Sequence, residues 1–455
     1  MSKLFFEHAL LPGGWARDVA IDLDGQGRIA AVEAERPRSG TRSDAAIAVP
    51  GTANLHSHAF QRAMCGLGEW RAADAYEDGS FWTWREAMYR FLGRLRPEDL
   101  EAVAAQLYVE MLEAGFTAVG EFHYVHHQPD GTRYDTVSEM SGRLLAAAAE
   151  ADIGMTLLPV FYGQSGFGGA TAGGAQRRFV NDPDRFVRLV EDVRSKARGN
   201  RRTVVGIAPH SLRAVTPDSL KAVLAAHPRG PVHIHIAEQE REVEDCIDWS
   251  GQRPVEWLFD HVPVDNRWCL VHATHMTAKE TRTLAASGAV AGLCPLTEAN
   301  LGDGIFNGIG YHRAGGAWGV GSDSHIRIDL AEELRALEYS QRLRDRRRNL
   351  VAGPGEATGR ALFEAAGRGG AIALDQPMGS IAPGNWGDIV GLDPHHPVLV
   401  GKSADDWLNG WIFSGDRTCV RDVWVAGRHV VVAGRHRARA EVAKAFARAM
   451  EHLNG

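Results

Sequence analysis

Between residue 51 and about residue 375, eight short β-rich runs alternate with helical segments. The runs are 52–56, Phe116–Phe122, Ile153–Phe161, Thr203–Pro209, Val232–Ile236, Trp268–His272, Val290–Cys294 and Ala317–Ser322. The helices between them carry their own punctuation. The one expected from Pro97 to Ala114 opens on a proline, whose missing N–H costs nothing at a helix start, and stops before Gly115. Strands separated by helices pair in parallel, because a parallel neighbour is reached only through a crossover. Eight such units predict an α/β fold, the TIM (β/α)8 barrel, whose reactive side chains stand at the C-terminal ends of its strands.

Those ends are where the ionisable residues fall. His56 and His58 end the first run, His210 the fourth, His235 and Glu238 the fifth, His272 the sixth and Asp323 the eighth. In an extended strand residues i and i+2 share a face, so the imidazoles of His56 and His58 reach one point, and a metal is the obvious occupant. A single polar residue at a strand end is an ordinary loop anchor, but seven in this arrangement mark a site. His123, His126, His127, His395 and His396 read as loop residues, with only His123 near a strand end.

The two ends of the chain have a different texture. Residues 3–10 and 18–34 read as strands with Asp24-Gly-Gln-Gly27 as a turn, and Val423 to Val432 reads as a hairpin around Gly427. Neither end is long enough to bury a β face alone, so their pairing into one small β-sandwich is expected. The expected domains are therefore 1–50 and 376–455 for the β-sandwich, with a C-terminal helix, and 51–375 for the barrel. Glu441 to Leu453 places Val442, Phe446, Met450 and Leu453 on one helical stripe, which suits packing.

Composition narrows the function classes. A net charge of −7 and a pI near 6.3 argue against a nucleic-acid partner or an anionic membrane, both of which need a basic surface. The Arg342 to Arg348 cluster is accounted for as a solvated helix face. Five cysteines without CxxC spacing suit reduced thiols in a cytosol and exclude zinc fingers. The first residues break their apolar run with charge too early for a signal peptide, and no 18-residue apolar segment is present. A cytoplasmic protein is expected.

The elements Leu55-His-Ser-His58, His235-Ile-Ala-Glu238, His272, Cys294-Pro-Leu-Thr-Glu-Ala-Asn-Leu-Gly302, Gly321-Ser-Asp323 and Pro383-Gly384 with Asp388 together resemble the amidohydrolase superfamily over essentially the whole chain. The resemblance implies zinc bound by His56, His58, His235 and Asp323. Thr203 to Ser211 offers neither the lysine nor the glutamate with which two-metal members bridge their ions, so one Zn2+ per chain is implied. Three neutral imidazoles and a carboxylate leave an open position where bound water is acidified to a pKa near ~7. Glu238 would then move protons, His272 would hold or polarise the tetrahedral centre, and Asp323 would pass a proton to the leaving amine.

The HxxE pair resembles the deaminase branch, which attacks a C=N carbon and releases ammonia. Leu55 to Arg62, Phe81-Trp-Thr-Trp-Arg85 and Cys294 to Asp303 look closest to the formimidoylglutamate deiminases of histidine breakdown. That implies a small amidine with two carboxylates as substrate, for which arginines are suited by bidentate geometry. Arg213 is the first candidate, then Arg85, from its own or a neighbouring subunit of an expected homodimer, with Gln61, Tyr124 and His210 completing the set. The alternatives are a deaminase or hydrolase of a purine, pterin or triazine ring, and a non-catalytic metal-stabilised binding module. Gly163 to Gly174 lacks a phosphate-binding pattern and reads as a mobile lid after the third strand.

Overall fold

The computed structural model describes residues 2–36, 43–70 and 88–455. All eight expected barrel strands are present: Thr52–Ser57, Phe116–His123, Gly154–Phe161, Thr203–Val205 with Ala208–Pro209, Val232–Ile236, Trp268–His272, Val290–Leu293 and Ala317–Val320. They are barrel strands 1 to 8 below. Strands 1 to 4 pair in parallel, as do strands 5 to 8. The two half-barrels meet at the parallel bridges Ser57–Asp323 and Ile207–Val232, which close the ring. Strand 4 is interrupted at Gly206, where an added Cβ would lie 2.5 Å from the Pro231 carbonyl oxygen. Only glycine lets strand 5 approach there.

The floor of the barrel is plugged by the end of helix Thr358–Leu374. Thr156 Oγ1 of strand 3 donates to the Leu374 carbonyl at 2.7 Å, and a ring nitrogen of His233 on strand 5 lies 2.8 Å from the Ala373 carbonyl. Leu374 is buried with Leu55, Ala118 and Val271, so the interior is packed at this level beneath the strand ends.

The two chain ends meet, as expected, but in one hydrogen-bonded sheet of eight strands. Strands Ser2–Leu11, Gly14–Leu23, Ile29–Glu33 and Ala45–Pro50 form one side, and Ile389–Leu392, Val420–Val425, Arg428–Val432 and Arg435–His436 the other. The junction is the antiparallel pairing of Ala45–Pro50 with Ile389–Leu392. Phe6 and Trp424 lie on strands three places apart, about 14 Å if the sheet were flat. Their rings stand 5.5 Å apart, so the sheet curls over a core of Leu4, Phe6, Val19, Ile21 and Trp424. A continuous curled sheet thus takes the place of two separate facing layers. The terminal helix Arg439–Asn454 packs on barrel helix Pro97–Glu113, and its stripe buries Val442 and Leu453. Among the described residues no helix is long and apolar enough to cross a membrane, and all five cysteines are free thiols.

Candidate metal centre and active site

Strand pleating points His56 inward, and the turn after Ser57 brings His58 to the same point. Three ring nitrogens and one carboxylate converge there. His56 Nε2 lies 3.2 Å from His58 Nε2 and 3.0 Å from His235 Nε2, and Asp323 Oδ1 is 3.5 and 3.3 Å from His56 and His58. A tetrahedral ion with bonds of 2.0–2.1 Å has ligand–ligand edges of about 3.3–3.4 Å. The observed edges bracket that value. His58 Nδ1 faces the Phe122 carbonyl at 2.8 Å and His235 Nδ1 the His210 carbonyl at 3.0 Å, which assigns their protons to Nδ1. Their Nε2 lone pairs therefore converge with no hydrogen on them, an arrangement that repels itself unless a cation sits at the centre. Burial pushes the His56 ring down to about 3, and that of His235 well below its ordinary value, so both rings stay in the ligating neutral form. The four residues fit a single divalent ion. Among the described residues the other group with metal-ligating atoms, His272 with Cys294 and Glu298, adjoins this centre.

His272 stands beside it with three carboxylates around the ring. Glu238 is 3.7 Å and Asp323 3.8 Å from Nε2, and Glu298 is 3.3 Å from Nδ1. Burial disfavours the charged ring, but Glu238, Glu298 and Asp323 outweigh it and raise His272 to about 10, so it serves as a hydrogen-bond donor. Glu298 also accepts the Cys294 backbone N–H at 2.8 Å, which fixes its carboxylate against the imidazole. The backbone at His272 has φ 67°, a strained conformation of the kind found at functional sites. Glu238 is buried, and that burial is the main cause of its raised pKa; Glu242 and Asp323 add to it while His272 and Arg213 oppose it. A carboxyl with its pKa raised in this way is a stronger proton acceptor than an exposed one, which suits proton transfer.

The same pocket is lined by Gln61, Tyr124, His210 and Arg213 together with His58, His235, Glu238, His272 and Asp323. Arg213 Nη2 is 3.8 Å from Glu238 Oε2, and Gln61 Nε2 donates to Tyr124 Oη at 3.0 Å. His210 packs against Tyr162 and His235 at 4.9 Å. Four of the five residues expected to contact substrate are thus brought together; Arg85 lies outside the described residues. Ser165, from the Gly-rich segment, also lines the pocket, and Phe167 stacks on Trp249 at 5.4 Å.

Some residues depart from expectation. His123, His126 and His127, read as loop residues, are buried. The ring of His126 meets the Val160 carbonyl at 2.9 Å and that of His127 the Val180 carbonyl at 3.0 Å, so they tie the strand-2 loop to its neighbours. Ser57, Glu121, Glu242 and His325 were not singled out, yet all are buried near the centre. Their one sequence signal is proximity to the quoted motifs: Ser57 lies between two ligands and His325 two residues past Asp323.

Comparison with known proteins bears on this geometry. The pattern described as Amidohydrolase family matches residues 47–430, and that of the formimidoylglutamate deiminase HutF N-terminal domain matches residues 1–41. The chain is 50% identical to a formimidoylglutamate deiminase of Pseudomonas aeruginosa over 455 residues, covering all of both chains. A crystal structure of an amidohydrolase from Brucella melitensis superposes with a TM-score of 0.95 at 52% identity, again over 100% of both chains. An adenosine deaminase from Xanthomonas campestris, solved with bound zinc, shares the fold at a TM-score of 0.80 and 20% identity, covering 99% of this chain and 98% of its own.

Proposed function

The chain belongs to the amidohydrolase family, and from that membership we propose that it hydrolyses N-formimidoyl-L-glutamate to N-formyl-L-glutamate and ammonia in histidine degradation. The observation that carries the proposal is the placement of Arg213, whose side chain is only 12% exposed, with Gln61, Tyr124 and His210, in the pocket lined also by His58, His235, Asp323 and Glu238. Two substrate carboxylates need cations or donors to replace lost water, and these groups supply them.

One zinc ion, held by His56, His58, His235 and Asp323, would supply an acidified water as nucleophile. Glu238 takes the water proton and delivers it to the imino nitrogen. His272 donates to the charge that develops as the C=N carbon becomes tetrahedral. Asp323 relays the second proton to the departing amine, and collapse of the carbon centre releases ammonia and leaves the formyl C=O. Arg213 and its neighbours hold the carboxylates and so fix the reacting carbon. We also take residues 51–375 as the catalytic barrel, residues 1–50 and 376–455 as a flanking β domain, and the protein as a cytosolic homodimer without nucleic-acid or membrane partners.

The pocket's aromatic side chains, Tyr89, Tyr124, Tyr162 and Phe179, would also suit a planar ring. Ammonia release measured on N-formimidoyl-L-glutamate, guanine and adenosine separates the two. Turnover of the open-chain amidine alone is expected, and a preference for either ring would overturn the assignment.

A further inference from the structure

Behind the metal ligands, on the side of strand 1 facing away from the pocket, runs a buried polar chain that the mechanism does not use. Tyr108 Oη and Ser57 Oγ both donate to Glu121 Oε2, at 3.1 and 2.6 Å, while the backbone N–H of Ala59 donates to Glu121 Oε1 at 2.7 Å. Ser57 Oγ also lies 3.1 Å from His325 Nε2. The backbone N–H of His58 is directed at that same nitrogen at 3.2 Å, which makes Nε2 an acceptor and puts the ring proton on Nδ1. Nδ1 faces Ser322 Oγ at 2.9 Å, and Ser322 is held by Asn54 through a 2.6 Å bond to its hydroxyl and a 3.1 Å bond from its backbone N–H.

The backbone it joins is special. Asp323 and His325 both have positive φ, 45° and 59°, in a turn that L-residues adopt only at a conformational cost. That turn is what presents the Asp323 carboxylate to the ligand histidines. Its surroundings must over-determine it, and the His325 ring does so from both sides, tying Ser322, which precedes Asp323, to Ser57 at the end of strand 1 and to His58 just beyond it. Neither His325 nor Ser57 is among the residues that line the pocket.

We propose that His325, anchored through Ser57 to Glu121, is a positioning residue that locks the Asp323 turn against the His56–Ser57–His58 segment and so presets the ligand cage before a metal enters. It rests on the metal-site assignment above, but not on the identity of the substrate. Loss of a partner that orients ligands weakens metal binding or activity by about 10- to 100-fold.

The test compares purified holoenzyme with His325→Leu, His325→Gln and Ser57→Ala, following loss of bound zinc to excess chelator together with kcat and KM. His325→Leu is expected to hold zinc about 10- to 100-fold more weakly and to lose kcat with little change in KM. His325→Gln restores an acceptor within reach of the His58 N–H and is expected to recover much of the retention, which a merely structural role would not produce. Folded His325→Leu that retains zinc and kcat as the parent does would overturn the proposal, as would equal losses in the Leu and Gln variants. Should His325→Leu fail to fold, Ser57→Ala decides, since parent-like retention there breaks the chain of contacts without consequence. Parent enzyme that binds no metal would instead remove the metal assignment, and the clamp with it.

Discussion

Glu238 and Arg213 face each other across 3.8 Å at the end of the pocket, and each constrains what the other does. Glu238→Gln removes a titratable proton carrier but no metal ligand, so zinc content should stay at parent level while kcat falls by about 10²- to 10⁴-fold. Full turnover in that variant would take Glu238 out of the chemistry. Arg213→Met should cost about 2–4 kcal/mol in kcat/KM, the range for truncating one partner of a desolvated charge pair. It should also move the pH profile. Arg213 lowers the pKa of Glu238, so its loss raises that pKa, and the acid limb of the kcat/KM profile should shift to higher pH. Parent-like kcat/KM would place the carboxylate grip elsewhere, and an unshifted limb would mean that Arg213 does not tune the Glu238 carboxyl. The convergence of His56, His58, His235 and Asp323 was legible in the sequence because they sit at strand ends, where period and direction are fixed, while the choice of these four among the strand-end residues came from the family resemblance. His325 and Glu121 were not. Their roles come from contacts across 268 and 64 residues, which no local pattern encodes.

At the scale of elements, the alternation of runs gave all eight strands, with boundary differences of a few residues. The interruption of strand 4 escaped notice because Thr203 to Pro209 keeps an apolar character through Gly206. Equally hidden was the contact that seats helix Thr358–Leu374 on the barrel. Gly369 has only backbone opposite it: an added Cβ would fall 1.9 Å from the Trp318 carbonyl oxygen and 2.9 Å from Gly319 N. In an isolated helix Gly→Ala gains about 1 kcal/mol, whereas overpacking costs about 1–3 kcal/mol and more where only backbone can yield. Gly369→Ala should therefore lose about 2 kcal/mol or more in denaturant unfolding. A variant as stable as the parent would show that the helix shifts freely against strand 8. That the two chain ends form one continuous sheet, folded over on itself, was hidden for a related reason. Strand patterns say which residues pair but not whether a sheet curls, and the Phe6–Trp424 contact that shows the curl joins positions 418 residues apart (424 − 6).

For the molecule as a whole, the metal ligands are distributed across the two places where the barrel closes. Strands 1 to 4 form one continuous sheet and strands 5 to 8 another, and at the seams pairing is reduced to the Ser57–Asp323 and Ile207–Val232 bridges. His56 and His58 belong to the first half, His235 and Asp323 to the second. An ion held by these four residues would therefore cross-link the half-barrels where the hydrogen-bond ladder is thinnest. Because the cage exists only in the folded chain, binding adds to folding stability as RT ln(1 + [L]/Kd), about 4 kcal/mol when free metal stands 1,000-fold above Kd. Stripping the metal with a chelator should lower the thermal unfolding midpoint, and restoring zinc should recover it. His235→Ala should remove most of this response while the apo forms of variant and parent unfold closer together, since the ligand lost from the second half is the one nearest His56 Nε2. Metal analysis alongside should give about one zinc per chain. A midpoint indifferent to chelator, or a response that survives His235→Ala in full, would mean that the ion does not bridge the two halves.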